Sequence, residues 1–552
     1  MFIRELSIFS LISFLSLSSA LCASDQQTRL IENAALANEA FSRCERYLTA
    51  WKAKIDSESG LLPQALSSEN NIWTPENSAA DNFPFMVIAA HFLKPAPAAS
   101  ILFQRAMIGE KLFTIQSSRL PTAYDLVKAE KIDREVDRLI FGASEYAKDG
   151  LVPMVEILGP GPWALRMQEL VEGIFALAPV ETPYGRLPST NAEINGEMLQ
   201  ILCRLYWMTG KGKYLEWARR IGDAYCYEVI VRHYGLPAHH WDFATHQGDG
   251  RFKARDHGCE IVSGLSLLFA IEKEISSLRA DSYYHAIKLM LERIQYLATD
   301  SSSGLLHNEV DAVTGEPTNT RPGFSDCWGY NYYAYYTFYL ATGEEKYLGY
   351  VRRVLENIHR FRGYRWEPRS DGTQSQDGYA DAIEGALGLL CHLPVAGAFD
   401  WVESEIQRLF EFQQDDGILE GWWGDGNFAR TALMYAFFKT KGTYCTPWRK
   451  DLHLGAEETP DGLEVYMKAN KAWSGKLCFD PARHRHFLGM TRDYPRINAF
   501  PEWFTVEPLE VYIIKRKGKQ PERVLGDSLI RGYPLRLEAG RSLRLIIRKN
   551  IP

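Results

Sequence analysis

The chain is short of cysteine, of positive charge and of long apolar runs, and each shortage closes off a class of function. Nine cysteines in 552 residues, at 22, 44, 203, 226, 259, 327, 391, 445 and 478, lie far apart and mostly inside apolar helical patterns. Their spacing matches no metal site, so most read as small buried hydrophobes, with room for a disulfide or two in an oxidising compartment. Lys and Arg number 62 against 69 Asp and Glu, a formal net charge of −7. Phosphate binding needs a basic face, and no basic stripe is present, which excludes nucleic acid as a partner. Beyond the first two dozen residues no segment is apolar for long enough to span a bilayer. The exception is the start, "MFIRELSIFSLISFLSLSSALCAS", where Arg4 precedes an apolar run from Leu6 to Leu21 that ends in small residues. This predicts a signal peptide over 1–23, cleaved between Ala20 and Ser24, and a secreted or periplasmic protein with no membrane association once the signal is removed.

What is present is an aromatic-rich globular composition with 28 Tyr, 27 Phe and 14 Trp, suited to lining a large groove, on a chain long enough for one large and one smaller domain. The stretches "YWMTGKGKYLEWARR" from Tyr206 and "YLATGEEKYLGYVRR" from Tyr339 align without a gap at an offset of 133 (339 − 206). Each reads as an apolar helix, a Thr-Gly cap and an antiparallel amphipathic helix. Gly-Leu-type turns recur at "SESGLLPQ", "KDGLVPM", "HYGLPAH", "SSSGLLHN" and "DDGILEG", each expected to close an outer helix. Outer helices are predicted near 35–52, 129–147, 213–232, 281–299, 344–362 and 399–413. Apolar inner helices are predicted near 81–95, 163–178, 193–208, 257–273, 326–341, 378–392 and 426–438. After Pro447 the pattern changes to short alternating runs such as "LEVYMKAN" and "EPLEVYIIKRK", which predict an antiparallel sandwich.

These hairpin repeats, the apolar helices that open with polar residues and the terminal β-domain together resemble the six-hairpin α/α-toroid carbohydrate-active enzymes, which include glycoside hydrolases, uronidases among them, and some polysaccharide lyases. The resemblance implies a mainly α fold: an (α/α)6-type toroid over 24–447, followed by a C-terminal antiparallel β-sandwich domain over 448–552. It also implies a cleft at one end of the toroid, lined by the loops that lead into the inner helices. It does not by itself give the reaction.

The heads of the inner helices carry the residues that could do chemistry there. They read "AADNFPF" (Asp81), "STNAEINGEM" (Glu193, Asn195, Glu197), "RDHGCEIV" (Asp256, His257, Glu260), "FSDCWGYNYY" (Asp326, Trp328, Tyr330), "DGYADAIEGAL" (Asp377, Asp381, Glu384) and "WGDGNFARTAL" (Asp425, Asn427, Arg430). The repeat superposes Glu193 on Asp326. Any one acid could be a helix cap. The set exceeds that role, because Glu260, Glu384 and Arg430 sit one turn deeper on the same faces, where a cap has no use for them.

Glycoside hydrolysis needs two carboxyl groups, one protonated and one ionised. The candidate catalytic acids are Glu193, Asp256, Asp326 and Glu384. Candidate substrate contacts are Asn195, Arg255, His257, Trp328, Tyr330, Asp381, Asp425 and Arg430. Trp328, Tyr330, Tyr332, Tyr333, Trp422 and Trp423 could stack on sugar or fill the core. Arg255 and Arg430 could hold a uronate carboxylate or pair with a local acid. The loop "HHWDFATHQGDG" matches no zinc spacing, and "DGTQSQDG" lacks the downstream glutamate of a calcium loop, so no metal or cofactor is expected. The expected function is that of an exported glycoside hydrolase acting on an acidic, uronate-containing oligo- or polysaccharide, such as a glucuronidase. The alternatives are a lyase or uronate epimerase using Tyr330 or His257 as base, and a glycan-binding protein without catalysis. The sequence sets no oligomeric state.

Overall fold

The computed structural model describes residues 3–66, 71–255, 257–368 and 375–550, with side chains from Gln26 onward except that of Pro322. The chain packs as two compact units. The first is Arg43–Met434 with Arg483–Pro501, and the second joins the N-terminal residues up to Ser42 with Tyr435–Ala482 and the chain from Glu502 onward. Residues 483–501 therefore pack with the helical unit, although they follow the change of texture at Pro447.

The helical unit is a toroid of hairpins. Its helices are α1 (Ile3–Lys52, from Arg43 onward), α2 (Phe83–Leu93), α3 (Ala98–Phe113), α4 (Val136–Glu145), α5 (Val152–Leu158), α6 (Pro162–Leu177), α7 (Ala192–Thr209), α8 (Gly212–Ala224), α9 (Ile230–Arg232), α10 (Glu260–Glu274), α11 (Arg279–Arg293), α12 (Trp328–Thr342), α13 (Glu345–Asn357), α14 (Gln376–Leu390), α15 (Ala396–Glu411) and α16 (Asn427–Thr440, up to Met434). Six inner-outer hairpins follow one another along the chain: α2 with α3, α4–α5 with α6, α7 with α8, α10 with α11, α12 with α13, and α14 with α15. A seventh inner helix, α16, takes α1 as its outer neighbour, where the Cys44 thiol donates to the Ala429 carbonyl at 3.6 Å. The inner helices are apolar on nearly every side because they are packed on every side. On α7, for example, the residues from Ile194 to Leu205 are all buried. Two inner helices touch backbone to backbone where a Cβ on Gly329 would stand 2.4 Å from the Cα of Gly385.

The internal repeat appears as read. Gly210 and Gly343 cap α7 and α12 in the left-handed conformation, with φ of 64° and 76°. Lys213 and Lys346, matched by the repeat, pair with Glu172 and Glu292 on the preceding outer helices.

Two predicted elements exchange places. The segment expected to be an outer helix over 129–147 is instead the inner helix α4, and it runs on through a π-helical turn (Tyr146–Leu151) into α5. The segment near 163–178, expected to be inner, is the outer helix α6, with Leu165 64% exposed. The cause is Gly150. Gly60, Gly235, Gly304 and Gly417 all have the positive φ of a turn, but Gly150 does not. It lies inside the helix because a Cβ there would meet the Ala79 carbonyl at 2.5 Å, so it serves close helix contact rather than a turn.

In the second unit, two antiparallel sheets enclose one core. Strands Tyr444–Thr446, Trp473–Cys478 and Tyr533–Leu537 form one sheet, and Leu452–Thr459, Gly462–Ala469, Ser542–Lys549, Val511–Arg516 and Glu522–Leu525 form the other. Inward residues such as Val465, Met467, Ile514 and Ile547 meet Trp473, Leu477 and Leu535 between them, the alternation expected of a sandwich. All eight described cysteines are free thiols, so no disulfide forms among the described residues.

Candidate active site

The heads of the inner helices converge on one acidic cleft. Its inner part is lined by Asp81, Glu145, Lys148, Asp149, His257, Cys259, Glu260, Asp326, Cys327, Tyr330, Glu367, Asp377, Asp381, Asn427, Arg430, Ile497 and Asn498. An outer part shares Asp81, Glu145, His257, Asp377 and Asn427, and adds Glu193, Arg138, Asp425, Trp422 and Trp423. The two tryptophans are 54% and 41% exposed, a platform on which a sugar ring could stack.

The cations of this cleft are held by its own acids. Arg430 Nη2 donates to Asp381 Oδ1 at 2.8 Å, Nη1 donates to Asn498 Oδ1 at 3.1 Å, and Nε lies 2.7 Å from Glu384 Oε2. Lys148 Nζ lies 2.8 Å from Asp149 and 2.9 Å from Glu260. Arg255, which lines neither part of the cleft, donates through Nη2 to the lining Glu367 at 3.2 Å. Asn498 ties these groups together. Its Nδ2 donates to Asp149 Oδ1 at 2.7 Å and its N–H to Glu384 Oε1 at 2.8 Å. Its φ of 62° is a conformation asparagine tolerates better than most residues.

These environments push the acids apart. Burial, and then Asp381, Asp425, Glu367 and Asp81, raise the Asp377 carboxyl well above its usual range. Burial with Asp149 and Asp425 does the same for Asp81. Burial lifts Asp425 to about 6 and Glu260 to about 7, the latter against the pull of Lys148 and His257. Asp149 goes the other way. Burial opposes its charge, but Lys148 and hydrogen bonding outweigh burial and hold it below the usual carboxylate range. Burial and Lys148 oppose protonation of His257, yet Glu193, Asp149 and Glu197 lift it to about 9. The Tyr330 hydroxyl lies 3.0 Å from Asp381 Oδ1 and 2.9 Å from Glu384 Oε2; burial and those two acids raise it well above a normal phenol.

Of the sequence candidates, Asp326, His257, Tyr330, Asp381 and Arg430 line the inner cleft, and Glu193 and Asp425 the outer. Asp326 is not the N-cap of α12, a position Cys327 occupies; its Oδ1 accepts from the Cys327 N–H at 2.9 Å. Asp256 lies outside the described residues. Four candidates line neither part of the cleft, Arg255 among them with its guanidinium on Glu367. Glu384 is fully buried beneath the cleft against Arg430, Tyr330 and Asn498, because it is the ninth residue of α14, more than two turns below the helix head. Asn195 is fully buried and donates to the Ser189 carbonyl at 2.7 Å. Trp328 is fully buried edge-on to Trp401, its ring centroid 6.1 Å away, and belongs to the core with Tyr332 and Tyr333. The "HHWDFATHQGDG" loop is a turn in which Asp242 accepts the N–H groups of Ala244 and Thr245. Residues 371–374 of "DGTQSQDG" lie outside the described residues, and the rest of it caps and opens α14.

Sequence reasoning missed Glu145, on the helix assigned to the outer ring, Lys148 and Asp149, in the turn expected to close it, and Asn498, in the stretch assigned to the sandwich. A signal for the first three was available in "ASEYAKDGLVPM", where three charged residues interrupt a run otherwise suited to full burial.

No family profile and no curated protein matches the chain. Among solved structures it is similar to the alpha-1,6-mannanase GH76A of Salegentibacter sp. HEL1_6, an inactive variant in complex with alpha-1,6-mannotetrose (16% identity, TM-score 0.42, covering 59% of this chain and 95% of that one). It is also similar to the cellobiose 2-epimerase of Bacillus thermoamylovorans B4167 (12% identity, TM-score 0.42, 73% and 99%). A third is the glycoside hydrolase family 76 mannosidase Bt3792 of Bacteroides thetaiotaomicron VPI-5482 (13% identity, TM-score 0.41, 72% and 98%). Likeness at this level leaves the chemistry to be argued from this chain's own residues.

Proposed function

We propose that the protein is an exported glycoside hydrolase acting on a neutral glycan, with Asp377 as the proton donor and Asp149 as its ionised partner. The observation that carries this reading is the division among the cleft carboxyls, with Asp377 kept protonated by burial among acids and Asp149 kept ionised beside Lys148. Glycosidic cleavage needs that division. Trp422 and Trp423 support a sugar at the outer end, and the apolar leader supports export.

The charge balance argues against the uronate substrate expected from the sequence. Eight carboxyls (Asp81, Glu145, Asp149, Glu260, Asp326, Glu367, Asp377, Asp381) line the inner cleft against Lys148, His257 and Arg430. Lys148 and Arg430 are both already engaged by acids. A substrate carboxylate would therefore find neither Lys148 nor Arg430 free to pair with it. The same site weakens the lyase or epimerase alternative. Tyr330 is held protonated between two carboxyls and His257 titrates near pH 9, so neither is poised as a base near neutrality.

The test is to release reducing ends from a panel of neutral and acidic oligosaccharides, following ultraviolet absorbance in parallel. Turnover on a neutral glycan is expected, and Asp377→Asn and Asp149→Asn should each lower it roughly a hundredfold or more. Cleavage confined to uronates with an unsaturated, absorbing product, or full activity in both variants, overturns the reading.

A further inference from the structure

One group in the helical unit has no role in the chemistry above. Glu197, on α7 one turn below Glu193, is fully buried, and neither of its carboxylate oxygens has a hydrogen-bond partner. Oε1 of Glu145, on α4, lacks a partner as well. A carboxyl so buried needs a donor, a proton or a cation. Lys148 lies close by, but its ammonium is held by Asp149 at 2.8 Å and Glu260 at 2.9 Å.

His257 completes the cluster. Its Nδ1 stands 3.9 Å from Glu145 Oε1 and 3.9 Å from Glu197 Oε1. One donor atom from each of Glu145, Glu193, Glu197 and His257 falls within 4.8 Å of every other. Bonds of about 2.0–2.2 Å to a tetrahedral ion put its donors about 3.3–3.6 Å apart, so the cluster closes around one ion when the side chains draw in by about 0.5–1 Å. We propose that Glu145, Glu193, Glu197 and His257 bind a divalent manganese or zinc ion.

The donor set selects the ion. Calcium and magnesium favour all-oxygen shells, whereas an imidazole with three carboxylates suits manganese or zinc. The ion lies where the two parts of the cleft join, since Glu145 and His257 line both. Four protein ligands would close a tetrahedral zinc site, whereas a six-coordinate manganese would keep two positions for water or sugar hydroxyls. His257 Nδ1 is also 3.0 Å from Lys148 Nζ. Binding through this nitrogen turns the ammonium fully onto Asp149 and Glu260, which already hold it. The four ligands come from three inner helices or their heads, and their separation along the chain hides the site from any spacing motif. The proposal rests on these donors and not on the hydrolase reading.

The test uses the full-length protein freed of metal with a chelator. Manganese and zinc are titrated by calorimetry, with calcium and magnesium for comparison, and each is followed by thermal melting. Saturable binding of a single manganese or zinc ion is expected, with a rise in melting temperature that calcium does not match. Glu197→Gln and Glu193→Gln should each weaken that binding by about tenfold or more. Glu193 is only half-buried, so its variant serves if Glu197→Gln does not fold. Absence of binding overturns the proposal, as does binding that both variants leave unchanged. A Glu197→Gln protein that melts higher than a wild type indifferent to metal also overturns it, since Glu145 and Glu197 then share a proton instead.

Discussion

Arg430 and Trp328 show how far a side chain's role depends on its partners. Arg430 is 2% exposed and counterbalances Glu384 and Asp381, so Arg430→Met leaves two acids without their cation. Breaking a buried pair from one side costs about 3–5 kcal/mol, and the thermal midpoint of the variant should fall accordingly. A midpoint like that of the wild type would mean these acids are protonated and need no cation. Trp328, read from sequence as a sugar contact, is core. Trp328→Ala should cost about 3–5 kcal/mol by denaturant melting, whereas Trp328→Phe should leave KM for the glycan unchanged. Asp326 differs from both. It lines the cleft and does not cap α12, so Asp326→Asn should preserve the melting temperature while lowering turnover; wild-type turnover would remove it from the site.

Two glycines separate a turn from a contact at the scale of elements. Gly210 caps α7 with φ of 64° and has nothing within 4 Å of a Cβ, so Gly210→Ala should cost only the strain of a left-handed residue, about 1–2 kcal/mol, with activity intact. Gly150 packs against the Ala79 backbone and adjoins Lys148 and Asp149. A methyl group there has to push apart two inner helices, and Gly150→Ala should cost stability and also turnover. Equal activity losses in the two variants, measured beside their melting curves, would contradict this account. The sequence pattern treats both glycines alike because it records that a side chain is absent, not which neighbour excludes it.

The helical unit as a whole carries its acids at a cost that depends on pH. Asp425 titrates near 6 when folded, against an ordinary value of 3.8, and Asp377 and Asp81 lie well above that value. Asp425 therefore binds more proton in the folded state than in the unfolded chain between pH 3.8 and 6, and its contribution to stability falls as pH rises through that window. Below it the contribution is fully present. Melting temperatures of the chelator-treated protein should decline from pH 5 to pH 7, and Asp425→Asn should flatten the decline. A rising midpoint over the same range would mean that these carboxyls are ionised in the native state.

The sequence by itself determined the helical hairpins, their Thr-Gly caps and the terminal sandwich, because periodicity and turn chemistry are local. It also placed polar groups at the heads of the apolar helices, and Asp326, His257, Tyr330, Asp381, Arg430, Glu193 and Asp425 do line the cleft. Only the tertiary structure decided which helix faces inward at residues 136–177, since a buried helix and an amphipathic one exchange roles once Gly150 is seen to pack rather than turn. It alone joined Asn498 to Asp149 and Glu384, far away in the chain, and set Glu384 beneath the cleft. Charge balance and ion pairing are properties of groups brought together by the fold, and no spacing along the chain records them.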